Sequence, residues 1–286
     1  MIEIITDGGK QYGYGHLRRS TSLAWALHDR GFAVRVTPLS EDGNIFLPDV
    51  PPSGGGSISV AVIDLPYDGD RQCKKYNKLN AKVIGLDYQG NGSPDINIAI
   101  VDHGKARHSK STFTGLQYAI IRPEIKSLSP SLTGNGAVVM IGGGDINNSA
   151  LKVADNIARI FEDVTLVIGP LYAGEFPTGR AYKIFAEPDN LPAIMAKCEW
   201  AVVNGGTTMM EMMCLGKAVY VLPQTEQEKN LALNIYEQSG ILGVMAEDSD
   251  IVIPGADDVA TVSNNAHNLV DGMGIDRIIE KIETLL

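Results

Sequence analysis

Short apolar runs that end in glycine-bearing loops, each followed by a segment of helical period, recur on both sides of one Ser/Pro/Gly stretch. Few folds accept that rhythm. Ile2–Thr6 leads through Asp7–Gly15 into residues 16–30, where Leu17, Thr21, Ala24, Leu27 and His28 recur at helical spacing and Gly31 supplies a stop. Further strands are predicted at Ala33–Pro38, Val60–Leu65, Lys82–Leu86, Asn97–Val101 and Tyr118–Arg122. Several are near-continuous apolar runs, as expected of a parallel sheet covered on both faces. Pro48–Ser57 is a breaker-rich loop, and Ser127–Gly136 is the expected linker. The rhythm then restarts with strand Ala137–Ile141, the turn Gly142-Gly143-Gly144-Asp145 and a helix over Asn148–Phe161. Strands Val164–Ile168 and Tyr182–Phe185 follow. Cys198–Asn204 runs through Gly205-Gly206-Thr207-Thr208 into a helix, and Ala218–Leu222 into a longer one at Glu226–Gln238. The pattern predicts an α/β protein of two doubly wound, Rossmann-like domains, 1–130 and 135–286, with the ligand outside the strands' carboxyl ends, in a cleft between the halves.

Composition narrows the function. At 44% hydrophobic and 20% charged residues the chain has an ordinary globular composition, and its 286 residues fit two domains. No apolar stretch is long enough to span a bilayer, and the acidic N-terminus does not read as a secretory signal. Three cysteines at long spacings are expected to be reduced thiols of a cytoplasmic protein. Residues 1–134 hold 15 Lys/Arg against 13 Asp/Glu, whereas residues 135–286 hold 9 against 21. Without a basic stripe the chain is a poor nucleic-acid binder. A phosphate held by the acidic second half would rest on backbone N–H groups and a helix dipole.

Three sets of residues offer chemistry. Gly205, Gly206, Thr207 and Thr208 lie between a strand and a helix, where glycines admit a phosphate, threonines cap the helix and free N–H groups face the anion; a plain capped turn would look the same. Glu211, one turn further on, is placed to accept from a ribose diol, or is a solvated glutamate. The loop is neither GxGxxG nor a P-loop. In the second set, Gly13 and Gly15 allow a tight turn before His16, whose position in a first helical turn favours a neutral imidazole able to act as a general base; capping its own loop is the alternative. Arg19 is expected to pair with an anion or with Asp7. The third set is Asp7, Asp64 with Tyr67, Asp87 and Asn204 at strand ends, each also explicable as a turn-stabilising residue. Asp102, His103 and His108 lack a third metal ligand, so neither metal nor cofactor is expected.

Taken together, these motifs resemble the nucleotide-sugar hydrolases of the pseudaminic-acid pathway and the spore-coat polysaccharide proteins grouped with them. Both are relatives of the GT-B glycosyltransferases, including the enzyme that adds N-acetylglucosamine to lipid I. The matching residues are Asp7 with Gly13-x-Gly15-His16-x-x-Arg19, Val62-Ile63-Asp64-x-x-Tyr67, Asp87, Tyr118-x-x-x-Arg122-Pro123-Glu124, Ile141-Gly142-Gly143-Gly144-Asp145, Val167-Ile168-Gly169-Pro170, Gly205-Gly206-Thr207-Thr208-x-x-Glu211, Leu215-Gly216-Lys217-Ala218 and Gln227-x-x-Asn230. The resemblance implies a metal-independent UDP-sugar hydrolase. Diphosphate would lie on Gly205–Thr208, ribose on Glu211 and the sugar by His16, which would activate water. Asp7 and Tyr67 would assist catalysis, while Gly13, Gly15, Arg19, Asp87, Gly143, Gln227 and Asn230 would line the substrate. A glycosyltransferase using the same donor, or a non-catalytic nucleotide-sugar-binding module, is the alternative. Ile5, Tyr88 and Thr225-Glu226 depart from the family pattern where the sugar is expected to be read.

Overall fold

The computed structural model describes residues 1–101, 108–141, 145, 149–169, 172, 174–246, 249 and 251–286. In chain order the first elements are β1 (Ile2–Thr6), α1 (Gly15–Asp29), β2 (Val34–Pro38), α2 (Glu41–Phe46), β3 (Val60–Asp64), α3 (Asp70–Lys78), β4 (Lys82–Leu86), β5 (Ile96–Ala99) and β6 (Ser111–Thr114). After a single 3₁₀ turn come α4 (Pro123–Lys126), β7 (Ala137–Met140), α5 (Ser149–Ile157), β8 (Val164–Ile168) and β9 (Lys183–Ala186). The remainder is α6 (Leu191–Lys197), β10 (Trp200–Val203), α7 (Thr207–Cys214), β11 (Ala218–Val221), α8 (Glu226–Glu237), β12 (Gly243–Val244), α9 (Ala256–Leu269) and α10 (Gly274–Glu283).

The chain forms two compact units: Met1–Ile121 with Gly272–Leu286, and Arg122–Asp271. In the first, a parallel six-stranded sheet has the order β2-β1-β3-β4-β5-β6, reversing direction between β1 and β3. In the second, the parallel order is β12-β11-β10-β7-β8-β9, reversing between β10 and β7. Ligands of open α/β sheets bind at such reversal points, outside the strands' carboxyl ends. The loops at the two reversals are those that follow β1 and β3, and β7 and β10. Asp7, Gly13, Tyr67, Asn204, Gly205 and Gly206 lie in them, and His16 and Thr207 lie in the first turns of the helices that follow β1 and β10.

Alternation along the strands divides the first core. Ile2, Ile4, Val60, Val62, Ile84 and Leu86 pack with Leu23 and Leu27 of α1, while Ile5, Ala61, Ile63 and Val83 face Cys73 and Tyr76 of α3. The first face is completed from the other end of the chain. Ile275, Ile278, Ile279 and Ile282 form the apolar stripe of α10 and join that cluster. The close approach depends on Gly274, since a β-carbon there would stand 2.1 Å from the Ala119 carbonyl oxygen.

Three sequence expectations change. Residues Tyr118–Arg122 form no strand: Tyr118, Ile120 and Ile121 are buried, but the 3₁₀ turn Leu116–Tyr118 and Pro123 at the start of α4 keep them off the ladder. The edge position goes instead to the mostly polar strand β6, which pairs with β5 and whose one apolar residue is Phe113. Ser127–Gly136 is not a free linker: Ser131 donates to Leu215 O at 2.8 Å and Asn135 to Lys197 O at 2.9 Å, tying it to the second unit. Finally, α10 belongs to the first unit, although it is contiguous in sequence with the second half.

Because Ile279 is fully buried, Ile279→Ala is expected to cost about 2–5 kcal/mol. Urea unfolding followed by circular dichroism checks this, and an unchanged transition contradicts the packing of α10.

Candidate functional site

At the reversal of the first sheet, β1 and β3 pair with Thr6 opposite Asp64. Asp64 is completely buried. It accepts from the His16 ring at Nδ1 (2.7 Å), from Arg19 Nε (3.0 Å to each oxygen) and from Ser20 Oγ (2.7 Å). Helical spacing makes this possible, since positions 16, 19 and 20 of α1 share one face. Arg19 also donates through Nη1 to Asp87 Oδ2 at 2.7 Å, and Asp87 Oδ1 accepts from Ile100 N at 2.8 Å. Burial alone would raise the Asp64 pKa, but the charge of Arg19 and the bonds from His16 and Arg19 outweigh it and hold the carboxyl well below its usual range. Burial likewise opposes the Arg19 charge, yet Asp64 and Asp87 raise its pKa further.

An ionised Asp64 has no proton to give, so His16 donates through Nδ1–H, and in the neutral ring the lone pair then lies on Nε2. A carboxylate that fixes the tautomer in this way also stabilises the imidazolium formed when Nε2 takes a proton. The His16 side chain is 23% exposed, so the ring reaches solvent while its Nδ1 edge is held.

Asp7 and Tyr67 pair with each other. Asp7 accepts from Gly8 N at 2.9 Å, from Ser40 Oγ and from Tyr67 O–H. Burial and the bond to Asp7 push the Tyr67 phenol pKa upward, leaving the phenol a committed donor. Arg19 therefore pairs with Asp64 and Asp87, not with Asp7, whose acceptors are already engaged. Gly13 has φ 73°, which a glycine accepts without strain, and closes a small bridge with Gly9 (Gly13 N–H to Gly9 O, 2.7 Å). Gly15 opens α1. The exposed Tyr12 ring lies 5.4 Å from the Tyr67 ring, centroid to centroid.

At the reversal of the second sheet, β10 ends at Val203 and Gly206 caps α7. No side chain caps that helix, so Thr207 and Thr208 do not take their expected role. Instead a carboxylate arrives from α8: Glu228 accepts from Gly205 N (3.2 Å), Gln224 N (2.7 Å) and Asn204 Nδ2 (2.8 Å). Gly205 is needed for this approach, since a β-carbon there would lie 2.8 Å from that of Glu228. Asn204 Oδ1 is buried without a partner.

Glu211 is buried and accepts from Arg122 Nε at 2.5 Å and Nη2 at 2.9 Å. It is a partnered carboxylate, not a solvated one. Burial disfavours the Arg122 charge, and Glu211 more than restores it. Gln227 and Asn230 are exposed on α8. Gly143 and its neighbours Gly142 and Gly144, like Asp102 and His103, lie outside the described residues. Asp145 accepts from Ser149 N (2.8 Å) and Ala150 N (2.9 Å), capping α5. Among the described residues no cluster of ligands could hold a metal ion, and no helix is long and apolar enough to cross a membrane.

Sequence reasoning gave too little weight to three residues. Asp64, read as one turn-stabilising candidate among several, is the centre of the first edge. Arg122 was visible only within its motif, and Glu228 gave no signal beyond the pattern Thr225-x-x-Glu228 that opens a helix.

No protein-family model matches the chain. It is 20% identical, over 334 aligned positions covering 99% of the chain and 98% of the relative, to the spore coat polysaccharide biosynthesis protein SpsG of Bacillus subtilis. Among solved structures it resembles the calicheamicin glycosyltransferase CalG4 (TM-score 0.62, 11% identity, covering 100% of this chain and 98% of that one). It also resembles the Methanocaldococcus jannaschii UDP-GlcNAc 2-epimerase in complex with UDP-GlcNAc and UDP (TM-score 0.55, 11% identity, 99% and 100%). The fold is that of the GT-B glycosyltransferases. In this fold the two candidate edges lie at the reversals of the two Rossmann-like sheets.

Asp64 has a lowered folded-state pKa, so the stability it contributes is present above its unfolded value and is lost as pH falls through the folded one. Asp64→Asn is expected to cost about 3–5 kcal/mol at pH 7, because Arg19 loses its buried partner, and to flatten the loss of stability below about pH 4. Urea titrations across that range check both effects.

Proposed function

We propose that the protein is a UDP-sugar-dependent enzyme of polysaccharide biosynthesis that transfers the sugar to an acceptor hydroxyl. The second unit would bind the nucleoside diphosphate, and the first would supply the group that acts on the sugar. The observation that carries this reading is the Nδ1 bond from His16 to buried Asp64 at 2.7 Å, which in the neutral ring would leave the Nε2 lone pair for a proton at the start of the helix that follows β1. The likeness to the polysaccharide biosynthesis protein SpsG, to the glycosyltransferase CalG4 and to an epimerase that binds UDP-GlcNAc supports the substrate class and the chemistry.

In the proposed step His16 Nε2 takes the proton of the acceptor hydroxyl. The acceptor oxygen bonds to the anomeric carbon as the bond to the diphosphate oxygen breaks, and UDP leaves with that electron pair. Asp64 and Arg19 hold His16 in the required tautomer. Backbone N–H groups at the start of α7 would receive the diphosphate, with Thr207 and Thr208 in the first turn. Glu211, held by Arg122, keeps lone pairs for a ribose diol, and Gln227 and Asn230 would face the sugar. Asp7 and Tyr67 would shape the loop that carries His16.

Hydrolysis is the second reading, favoured by the element Tyr118-x-x-x-Arg122-Pro123-Glu124; there water takes the acceptor's place at His16. NMR product analysis with a panel of UDP-sugars separates the two. Glycosylated acceptor supports transfer, free sugar and UDP without acceptor supports hydrolysis, and binding without turnover overturns both in favour of a binding module. His16→Ala is expected to lower turnover by about 10²–10⁴-fold while leaving UDP affinity, measured by calorimetry, unchanged. Loss of UDP binding would instead assign His16 to the nucleotide.

A further inference from the structure

Glu228 places a carboxylate on the amide edge that the UDP-sugar reading gives to phosphate. Thr225 caps α8 by accepting from Glu228 N at 3.1 Å. In a capping box the glutamate would return to the N-cap amide. Here it reaches instead to Gly205 N, Gln224 N and Asn204 Nδ2, which together fix it between the loops that follow β10 and β11. It also lines Gly206, where an added β-carbon would stand 3.2 Å from Glu228 Oε1. Nearby Lys229 is exposed and lies 3.7 Å from Glu226, so it does not neutralise Glu228.

A fixed negative charge beside an anion site discriminates by charge. In a nucleotide sugar both phosphates are esterified and each carries one negative charge. Once the sugar has left, the terminal phosphate of UDP carries most of a second charge at pH 7, since its second pKa is about 6. We propose that Glu228 is a specificity-determining residue of the nucleotide subsite, favouring a diphosphate esterified at both ends over one with a free terminal phosphate. It thereby weakens retention of the product UDP. The proposal rests on the UDP-sugar reading above and adds to it the residue that separates substrate from product.

The test is calorimetric titration of the whole protein with UDP and with UDP methylated on its terminal phosphate, a pair that differs in charge without involving any sugar. Wild type, Glu228→Gln and Glu228→Ala are compared. Glutamine keeps the tie between the loops, because its carbonyl accepts from the two backbone amides and its NH₂ can meet the unpartnered Asn204 Oδ1. In both variants the preference for the methyl ester is expected to fall by about tenfold, mainly through tighter UDP, and the difference should shrink at about 1 M salt. An equal change for the two ligands, or none, overturns the proposal and leaves Glu228 as a structural tie. If wild type binds neither ligand, the UDP-sugar reading itself has failed and the proposal falls with it. Thermal melts of each variant confirm that the fold is retained.

Discussion

The buried carboxylate of Asp64 is the interaction on which the arrangement at the first unit's sheet reversal depends. A carboxylate with no exposure is tolerated only with charge and hydrogen bonds around it, and α1 supplies both from three positions on one face, His16, Arg19 and Ser20. Docking α1 against β3 and orienting the imidazole are thus one event. The Arg19 guanidinium spans Asp64 and Asp87, linking the ends of β3 and β4 to the same helix. The ring of His16 is thus oriented by a buried, ionised partner.

The second unit handles charge differently. Its sequence is strongly acidic, and two carboxylates of its helices α7 and α8 are each held by donors: Glu211 by the Arg122 guanidinium, Glu228 by two main-chain amides and one side-chain amide. The uncapped start of α7 sits beside this arrangement. Attraction for an anion there comes from aligned peptide dipoles, and a neighbouring carboxylate moderates it.

Much of this was legible in the sequence because periodicity and turn chemistry are local. The run Ile2–Thr6, the glycines before His16 and the loop Gly205–Thr208 each announce strand, turn or helix within a few residues. Legibility failed where partners are distant or signals weak. Tyr118–Ile121 reads as a strand because it is apolar, yet it is buried without joining the ladder, while polar β6 takes the edge. For Arg19 the sequence offers an anion or Asp7, which is close in the chain. Arg19 found Asp64 and Asp87, 45 and 68 residues away.

By itself the sequence determined two runs of parallel β/α units, their glycine loops and the residue types at the strand ends, since these follow from side-chain period and backbone freedom over short spans. Tertiary structure alone decided that α10 completes the first unit's core, that Asp64 rather than Asp7 pairs with Arg19, and that Glu228 meets Gly205. Each of these depends on which strands become neighbours and which charges burial forces into contact. Spacing along a chain does not encode that choice.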